Sequence, residues 1–318
     1  MEISFTIAIP TYRRPDLATR AVESALAQTH PVLEILVHDN SPDDETERAL
    51  FRFPRERVQY RRHDRNLGLA GNWNSLIQSA RGEYVKFLND DDVLHPTVLE
   101  AASPLLSRWS PGVATCRARY VTSSGEPLKE DAHTGCQGSY YVCAEDASFL
   151  WFRGALPVRT PTHSFYRTDL ARELGGFAID QDYTLDIFLA LRLASAAGAV
   201  FLEGAPLVDF LIHPGQDGKN VAFSTRTQDQ YGVKRWAFEN RGGHAAAEAD
   251  VEAEQSAILL REMALMARAR RWNDLGHGMQ ELLTVRKSRI NGSLLLARRE
   301  LLKRTHAAQY ERYRHYQP

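Results

Sequence analysis

The sequence predicts an α/β protein built on a mostly parallel β-sheet with helices on both faces. Strand and helix patterns alternate through the first hundred residues. The predicted strands are apolar runs, as expected of strands that are buried on both faces. Polar clusters follow three of the strands, and ligands of such sheets bind beyond the carboxyl ends of the strands. These clusters are Thr11 to Arg14, Asp39 to Ser41, and Asp90 to Asp92.

Four strands and three helices account for the alternation. The strands are ISFTIAIP, LEILVHD, RVQYRR and EYVKFL. The first helix, PDLATRAVESALAQ, has Pro15 near its first turn, where proline is favoured. We expect Ser41 to cap the second helix, with Pro42 at its first position and acidic residues facing the helix dipole. The third helix, LAGNWNSLIQSA, is expected to end near Arg81, with Gly82 as a left-handed cap.

The pattern is looser after about residue 112. GVATCRARYVTSSGEPL reads as a strand that turns at Ser124 and Gly125, and THSFYRTDLARELGGF as a strand followed by a short helix. TLDIFLALRLASAAG is a strongly apolar helix, and AVFLEG and LVDFLIHPG are the last strand patterns. Beyond about residue 225 the spacing of apolar residues is helical. No internal repeat or low-complexity linker is apparent.

Composition limits the class of protein. The 318 residues carry a formal net charge of −1, which gives no general argument for a nucleic-acid or membrane partner. The three cysteines Cys116, Cys136 and Cys143 lack C-x-x-C spacing, so neither a disulfide framework nor a zinc site is predicted. The sequence contains no recognisable leader and no apolar run of roughly 20 residues. We expect a cytoplasmic protein.

The three adjacent aspartates Asp90, Asp91 and Asp92 indicate a divalent-metal site. Asp92 alone could cap the following helix, but a cap needs only one carboxylate. Three clustered carboxylates repel one another unless a cation or several hydrogen-bond donors offset the repulsion. Oxygen ligands of this kind suit Mg²⁺ or Mn²⁺. The spacing of an EF-hand calcium loop is absent.

Several motifs together carry a resemblance to a known family. They are AIPTYRRPDLATRAVESALAQT, EILVHDNSPDDET, RNLGLAGNWNSLIQSARGEYVKFLNDDDVLHP and the later GGF. In this order and spacing, over roughly residues 3 to 215, the chain resembles the family 2 glycosyltransferases of GT-A fold. We expect a catalytic domain over residues 1–225, and the helical spacing beyond it predicts a helical C-terminal region over residues 226–318. The resemblance implies a nucleotide-diphosphate sugar as donor and mostly inversion at the sugar carbon.

The resemblance places a nucleotide site at the three polar clusters. Asp39 matches the acid that accepts a hydrogen bond from the base, typically from a uracil N–H, and Asp90 would lie near the ribose. Residues expected beside the base or phosphates are Pro10, Thr11, Tyr12, Arg14, Arg65 and Asn66. The chain departs from the family pattern at His38 and Asn40, on either side of Asp39. These departures leave the identity of the base open.

The resemblance also implies a metal ligand set. In the family's D-x-D-D pattern the first acid is Asn89 here, so Asp91 is the expected ligand of Mg²⁺ or Mn²⁺. Asp92 would then support the ligand or cap a helix, and a slip of one residue in the alignment would exchange these roles. His213 occupies the position of a histidine that completes the metal shell. Leu211 stands where the family usually has arginine.

The helix TLDIFLALRLASAAG resembles the family's E-D-x-D-x-x-x-R-L-A-x-x-G helix, aligned through its Arg-Leu-Ala. Asp186 takes the place of the general base, and Leu185 replaces the glutamate that usually precedes it. Asp180 and Asp182 are the alternatives for this role. The structural alternative for Asp186 is an acid stabilised at a helix start by the helix dipole.

The C-terminal sequence is basic. Residues 261 to 318 contain 13 Lys and Arg against 5 Asp and Glu, a net of +8 by subtraction. A solvated helix face is the commonest explanation. The functional alternatives are peripheral contact with anionic lipid on the inner face of a membrane, and an interface in a homo-oligomer. No nucleic-acid-binding motif accompanies the charge, so nucleic acid is not expected.

The residues and the resemblance together predict a metal-dependent, inverting glycosyltransferase, with a UDP-sugar favoured as donor. Its acceptor would be a glycan, a glycolipid or a small molecule, most commonly in bacterial surface polysaccharide or glycolipid assembly. A nucleotidyltransferase is the first alternative, but it needs a glycine-rich loop after the first strand, and PTYRRPD contains no glycine. The second alternative is a non-catalytic nucleotide-sugar-binding module, because Leu185 and Leu211 replace family residues.

Overall fold

The computed structural model describes residues 3–131, 138–213 and 221–268. It confirms the α/β class, with a large sheet flanked by helices. The strands are β1 (Phe5–Thr11), β2 (Glu34–Asp39), β3 (Val58–Arg62), β4 (Tyr84–Phe87), β5 (Val93–Leu94), β6 (Val113–Cys116), β7 (Ala118–Val121), β8 (Pro127–Glu130), β9 (Tyr140–Val142), β10 (Ser164–Arg167), β11 (Ala199–Leu202) and β12 (Val208–Leu211). The helices are α1 (Pro15–Leu26), α2 (Glu45–Leu50), α3 (Gly68–Ser79), α4 (Val98–Trp109), α5 (Ala144–Phe152), α6 (Thr168–Glu173), α7 (Leu185–Ala197), α8 (Phe223–Glu239) and α9 (Glu248–Arg268), with a 3-10 turn at Pro161–His163.

The large sheet has eight strands in the order β3-β2-β1-β4-β10-β6-β11-β9. The first four strands of this order run parallel. Strand β10 is antiparallel to both of its neighbours, and β11 is again parallel to β6. Because β1, β2 and β4 are parallel, the three polar clusters that follow them come to one edge of the sheet. This edge is called the acidic edge below.

Helices cover both faces of the large sheet. On one face Ile7 and Ile9 of β1 pack with apolar side chains of α1 and α4. On the other face Ala8 packs with side chains of α3, α6 and α7. Successive residues of a strand point to opposite faces, so a continuous apolar run such as that of β1 fits a strand buried on both sides. Every residue of β1 is buried.

A second sheet of four strands, in the order β5-β12-β7-β8, stands beside the acidic edge. The sequence GVATCRARYV, expected to form one strand, forms β6 in the large sheet and β7 in the small one. The break falls at Arg117, whose buried side chain donates to the carbonyl oxygens of Asp131 and Gly204. These bonds hold the chain where it passes from one sheet to the other.

Two predicted helix boundaries are wrong. Helix α2 begins at Glu45 rather than beside Ser41, and its N-cap residue is Asp44. Helix α3 ends at Ser79, and Gly82 is not in a left-handed conformation. A Cβ at Gly82 would lie 2.4 Å from the backbone nitrogen of Thr6, so glycine is required there by the close approach of β1.

Helices α8 and α9 pack against α5 and α7. Their apolar side chains share a cluster with Phe152 and Leu191, formed by Val233, Ala237, Phe238 and Val251. The expected domain boundary at residue 225 falls within α8. In the described residues, no helix combines the length and the apolar character needed to cross a bilayer. Most of the basic C-terminal sequence, residues 269–318, lies outside the described residues.

Candidate active site

The loop after β1 is fixed against the end of β2. Arg13 has a positive φ of 55°, a conformation that residues other than glycine rarely adopt. Its backbone N–H donates to Ser41 Oγ at 2.7 Å, which holds the loop in this conformation. Strained backbone of this kind is concentrated at functional sites. Tyr12, one residue earlier, is exposed at the edge.

Asp39 is fully buried, and both of its carboxylate oxygens are engaged. Oδ1 accepts hydrogen bonds from the backbone N–H and the hydroxyl of Ser41, at 2.7 and 2.5 Å. Oδ2 accepts one from the Tyr60 hydroxyl at 2.8 Å. Burial and this bond to Asp39 raise the pKa of Tyr60 well above its usual range. Ser41, predicted as a helix cap, instead orients Asp39, and a base N–H would have to share an oxygen with these donors.

Asn40 anchors the loop that carries Arg65 and Asn66. Its Oδ1 accepts from the backbone N–H of Leu67, and its Nδ2 donates to the carbonyl of Gly68, each at 3.1 Å. Both Arg65 and Asn66 are exposed beside it. The departure from the family pattern at Asn40 therefore has a structural role here, since it ties this loop to the end of β2.

His38 lies beneath the acidic edge rather than in it. Its Nδ1 is 2.7 Å from Ser75 Oγ, and that hydroxyl is 3.1 Å from His63 Nε2. Burial, followed by the nearby charges of His63 and Arg61, lowers the pKa of His38 to about 4. At neutral pH this histidine is therefore uncharged and belongs to the packing between β2 and α3.

Asp90 turns toward β1. Its Oδ2 accepts from the Thr11 hydroxyl at 2.8 Å, and its Oδ1 lies 3.2 Å from Arg14 Nη1. Burial and the neighbouring Asp91 carboxylate raise the pKa of Asp90 to about 6, against the opposing effects of Arg14 and Thr11. The structure thus brings together three residues that were expected to bind the nucleotide.

Asp91 faces His213 across the edge. Its Oδ2 lies 2.9 Å from His213 Nε2 and 3.4 Å from Arg14 Nη1. Both side chains are largely but not fully buried, with 12% and 18% of their surfaces exposed. Residues 91 and 213 are 122 positions apart, so only the fold brings this carboxylate and this imidazole together.

The pair fits a divalent cation. Two ligand atoms at right angles around an ion, each about 2.1 Å from it, lie roughly 3 Å apart, close to the 2.9 Å between Asp91 Oδ2 and His213 Nε2. A carboxylate and an imidazole are both accepted ligands of such ions. Among the described residues no group of three or more His, Cys, Asp or Glu side chains is arranged to hold a metal. Asp91 and His213 are the two side chains that this geometry offers as ligands.

Asp92 turns inward, away from the edge. It is buried, and its Oδ1 accepts from the backbone N–H of Leu211 at 2.9 Å. Burial and the charge of Asp91 raise the pKa of Asp92 well above its usual range. Asp92 does not cap α4, which begins at Val98. The three aspartates therefore have different partners, on β1, at the open edge and on β12.

Lys86 is a buried cation beneath the triplet that sequence reasoning missed. It is fully buried in β4, where its Nζ donates to the Thr162 carbonyl and lies 4.6 Å from the centre of the Phe165 ring. Burial lowers the pKa of Lys86 to about 8, and the neighbouring Cys116 and Asp92 oppose this effect. The only sequence signal was a lysine within the apolar strand YVKF.

Asp186 lies in the first turn of α7 and is half-buried. Its Oδ1 accepts from the backbone N–H of Ile187 at 2.8 Å. Burial raises the pKa of Asp186 to about 6. The alternatives Asp180 and Asp182 are exposed on the preceding loop. Of the three acids, Asp186 has the environment that tunes a carboxylate toward proton transfer near neutral pH.

A cavity of about 660 Å³ lies elsewhere, beside the C-terminal half of α7. Its lining includes Arg192, Trp236 and His244. Helix α7 carries Asp186 in its first turn, six residues before Arg192, or roughly 9 Å away along the axis at 1.5 Å per residue. None of the residues that line the cavity belongs to the three polar clusters of the acidic edge.

The fold of the whole chain is similar to that of solved GT-A glycosyltransferases. TarS of S. aureus (residues 1–349, in complex with UDP-GlcNAc) aligns over 99% of this chain and 93% of that one, with a TM-score of 0.64 and 15% identity. Mannosyltransferase PcManGT from Pyrobaculum calidifontis, in complex with GDP-Man and Mn²⁺, aligns over 98% and 87%, with a TM-score of 0.56 and 17% identity. At these identities the similarity concerns the fold alone.

The chain belongs to glycosyl transferase family 2. The model of that family matches residues 6–175, more than half of the chain. The succinoglycan biosynthesis protein ExoO of Rhizobium meliloti is 36% identical over 124 residues, or 39% of this chain and 36% of that protein. A GalNAc(5)-diNAcBac-PP-undecaprenol beta-1,3-glucosyltransferase of Campylobacter jejuni is 28% identical over 153 residues, or 47% and 48%. The chain thus spans from about a third to a half of the length of these curated relatives.

Proposed function

We propose that this protein is a metal-dependent, inverting glycosyltransferase that moves a sugar from a nucleotide diphosphate, with UDP favoured, to an acceptor hydroxyl. The observation that carries the proposal is the convergence of Asp91, His213 and Arg14 at the edge where family 2 sequence motifs end. Family membership and the GT-A fold support transfer of a glycosyl group rather than of a nucleotidyl group.

Asp91 and His213 would hold a Mg²⁺ or Mn²⁺ ion, which when bound stabilises the negative charge of a leaving diphosphate. The chain's own contribution is to keep these ligand atoms 2.9 Å apart and to place the Arg14 guanidinium beside them. Arginine binds phosphate oxygens through several N–H donors. A solved neighbour in complex with GDP-Man and Mn²⁺ supports a metal in a site on this fold.

The nucleoside would lie between the loop of Pro10, Thr11 and Tyr12 and the loop of Arg65 and Asn66. Asp39 would accept the hydrogen bond of the base N–H, since its carboxylate is already held in one orientation by Ser41 and Tyr60. Asp90 would contact the ribose. The UDP-GlcNAc complex of TarS supports a UDP-sugar as the first donor to test.

Asp186 would act as the general base. It would take the proton of the acceptor hydroxyl while that oxygen attacks the sugar carbon from the face opposite the diphosphate. One displacement of this kind inverts the configuration at the carbon, with an oxocarbenium-like charge on the sugar ring as in glycoside hydrolysis. A carboxylate with a pKa of about 6 is ionised at neutral pH and still basic enough to accept a proton.

The names of two relatives support an acceptor class. Those named for succinoglycan biosynthesis and for an undecaprenol-linked glycan favour a glycan or glycolipid acceptor in bacterial surface polysaccharide assembly. A cytoplasmic site of action suits a nucleotide-sugar donor.

The test is a thermal-shift screen of UDP-GlcNAc, UDP-glucose, UDP-galactose and GDP-mannose, each with and without Mn²⁺. A bound donor raises Tm in proportion to its affinity and concentration. We expect one donor to stabilise the protein only with Mn²⁺ and to be slowly hydrolysed. Binding without hydrolysis would indicate a non-catalytic binding module instead.

Replacing Asp91 by Asn should remove the Mn²⁺-dependent part of this stabilisation and lower turnover by at least about 10²-fold, because the ion loses a charged ligand. Glu56→Gln, at an exposed acid outside the site, is the matched control. An Asp91→Asn protein that kept both the Mn²⁺-dependent shift and the turnover would refute the metal site.

A further inference from the structure

The loop that leads into Asp186 is held by a side chain of α8. Asp229 Oδ2 accepts the backbone N–H of Asp182 at 3.1 Å and that of Tyr183 at 2.8 Å. These residues lie four and three positions before Asp186. Thr184, the N-cap residue of α7, makes no capping bond with its side chain. The loop before the first turn of α7 is therefore held by a contact from outside the helix.

A second residue of α8, Arg226, contacts the same loop. The Arg226 guanidinium lies over the Tyr183 ring, 4.6 Å from its centre, and Nη2 donates to the Tyr183 hydroxyl at 3.2 Å. Arg226 is itself buried and forms an ion pair with Glu262 of α9, with 2.7 Å between Nη2 and Oε2. Because Glu262 is completely buried, this pair fixes the guanidinium between α9 and the loop.

The other end of the loop is attached to α3. Asn74 Nδ2 donates to the carbonyl of Phe177 at 2.9 Å, and Asn74 Oδ1 accepts from the N–H of the same residue at 2.8 Å. Between these two attachments Ile179 is 81% exposed, and Asp180 is exposed as well. The loop is thus pinned at both ends, and its α8 attachment is the one next to Asp186.

We propose that Asp229 and Arg226 are positioning residues for Asp186, so that α8 and α9 complete the active site from outside the large sheet. The proposal rests on the proposed function, in which Asp186 is the base. A displacement of about 1 Å in a reacting group can cost about 10²-fold in rate. Two N–H bonds to one carboxylate oxygen, together with an arginine stacked on the next ring, restrict such displacement.

The test compares Asp229→Ala with Asp229→Asn, and uses Glu239→Ala, an exposed acid on the same helix, as the control. Turnover is measured as hydrolysis of the nucleotide sugar selected by the thermal-shift screen. We expect Asp229→Ala to lower kcat by about 10- to 100-fold with donor KM changed by less than about 2-fold. Asp229→Asn keeps an amide oxygen as acceptor and should recover kcat to within about 3-fold of the original protein.

Hydrogen exchange gives a readout that does not depend on activity. In Asp229→Ala the amides of residues 178–187 should exchange at least about 10-fold faster, and those of β1 and β4 should not change. If Asp229→Ala is poorly folded, Tyr183→Phe replaces it, since it removes only the hydroxyl that Arg226 contacts. For Tyr183→Phe we expect kcat to fall by about 2- to 5-fold with KM unchanged.

Unchanged kcat in a folded Asp229→Ala protein, or kcat lost together with faster exchange throughout the sheet, would overturn the positioning role. Failure of the proposed function is distinguishable, because it would be seen as full turnover in Asp186→Asn. The local change in exchange would then still report whether α8 holds the loop.

Discussion

Single residues decide the chemistry of the acidic edge. The three adjacent aspartates have different partners: Asp90 contacts Thr11, Asp91 contacts His213, and Asp92 contacts the backbone of Leu211. Only Asp91 is left at the open edge beside an imidazole. Asp186, on α7, is the acid whose pKa is raised toward neutrality by burial, without a contribution from a neighbouring charge. Two predictions follow from that shift.

The first concerns the pH dependence of catalysis. Burial raises the pKa of Asp186 to about 6, and the base must be ionised to accept a proton. We expect kcat/KM for donor turnover to be constant above about pH 7 and to fall tenfold per pH unit below about pH 5.5. In Asp186→Asn the remaining turnover should be about 10²- to 10⁴-fold lower and should not show this fall at low pH. If kcat/KM of that variant fell at low pH with the same midpoint, the titrating group would be one other than Asp186.

The second concerns stability. A folded pKa of about 6, above the ordinary value of 3.8, means that the folded protein binds this proton more tightly than the unfolded chain does. The ionised carboxylate therefore destabilises the fold fully above pH 6, and the penalty disappears below about pH 4. Asp186→Asn should raise the free energy of unfolding at pH 7 by roughly 1–3 kcal/mol, and by far less at pH 4. Urea unfolding at both pH values checks this, and a loss of stability at pH 7 would contradict it.

At the scale of elements, close packing of β1 and β4 depends on Gly82. The turn before β4 passes so near to β1 that a Cβ would lie 2.4 Å from the Thr6 nitrogen and 2.7 Å from the Phe5 carbonyl carbon. Both strands carry the acidic edge: Thr11 ends β1, and the aspartate triplet follows β4. The separation of the two strands therefore sets the distance between Thr11 and Asp90.

Gly82→Ala should destabilise the protein by about 2–4 kcal/mol, because backbone cannot move aside as a flexible side chain can. Gly232→Ala is the matched control. Gly232 lies within α8, and an added Cβ there meets nothing within 4 Å. In the interior of a helix, alanine should stabilise by about 0.5–1 kcal/mol. Chemical denaturation checks whether Gly82→Ala lowers and Gly232→Ala raises the free energy of unfolding. Equal effects of the two variants would contradict the role of close approach at Gly82.

At the scale of the whole molecule, α8 and α9 are joined to the glycosyltransferase fold through buried charge as well as apolar contact. Glu262 of α9 is completely buried and pairs with Arg226 and Arg261. Lys234 of α8 pairs with Glu254 and donates to the Phe152 carbonyl. These links cross from the C-terminal helices into α5 and into the loop before α7.

Removing one partner of a buried ion pair leaves the other charge uncompensated. We therefore expect Glu262→Gln to lower the free energy of unfolding by about 2–4 kcal/mol. Glu248→Gln breaks an exposed pair with Arg235 and should change it by less than about 0.5 kcal/mol. Urea unfolding monitored by circular dichroism measures both. Equal, small effects would show that the buried pair does not hold α9 to the rest of the protein.

The sequence was sufficient for the features that depend on local pattern and order. Apolar runs predicted β1, β2 and β4, and their parallel arrangement brought Thr11, Arg14, Asp90 and Asp91 to one edge. Family membership and the GT-A fold are confirmed. The roles of the site residues stay predictions. The positions of Asp91 and His213 in the structure agree most closely with the roles predicted for them.

The features that the sequence did not reveal depend on contacts between distant residues. Ser41 has the chemistry of a helix cap, but Arg13 and Asp39 engage its hydroxyl in the fold. The chain passes from the large sheet to the small one at Arg117, whose side chain donates to the distant carbonyls of Asp131 and Gly204. Asp229 is 46 positions from Tyr183, and no local pattern marks an acid that accepts N–H groups of another loop.

The pairing of β5 with β12 has a mechanical consequence. Strand β5 begins two residues after Asp91, and β12 ends two residues before His213. Asp92 accepts a hydrogen bond from the backbone N–H of Leu211, the last residue of β12. Asp91 and His213 are thus both attached to the antiparallel pair formed by β5 and β12. If the two sheets shift against each other when a substrate enters, both atoms travel together, and the gap between them is preserved.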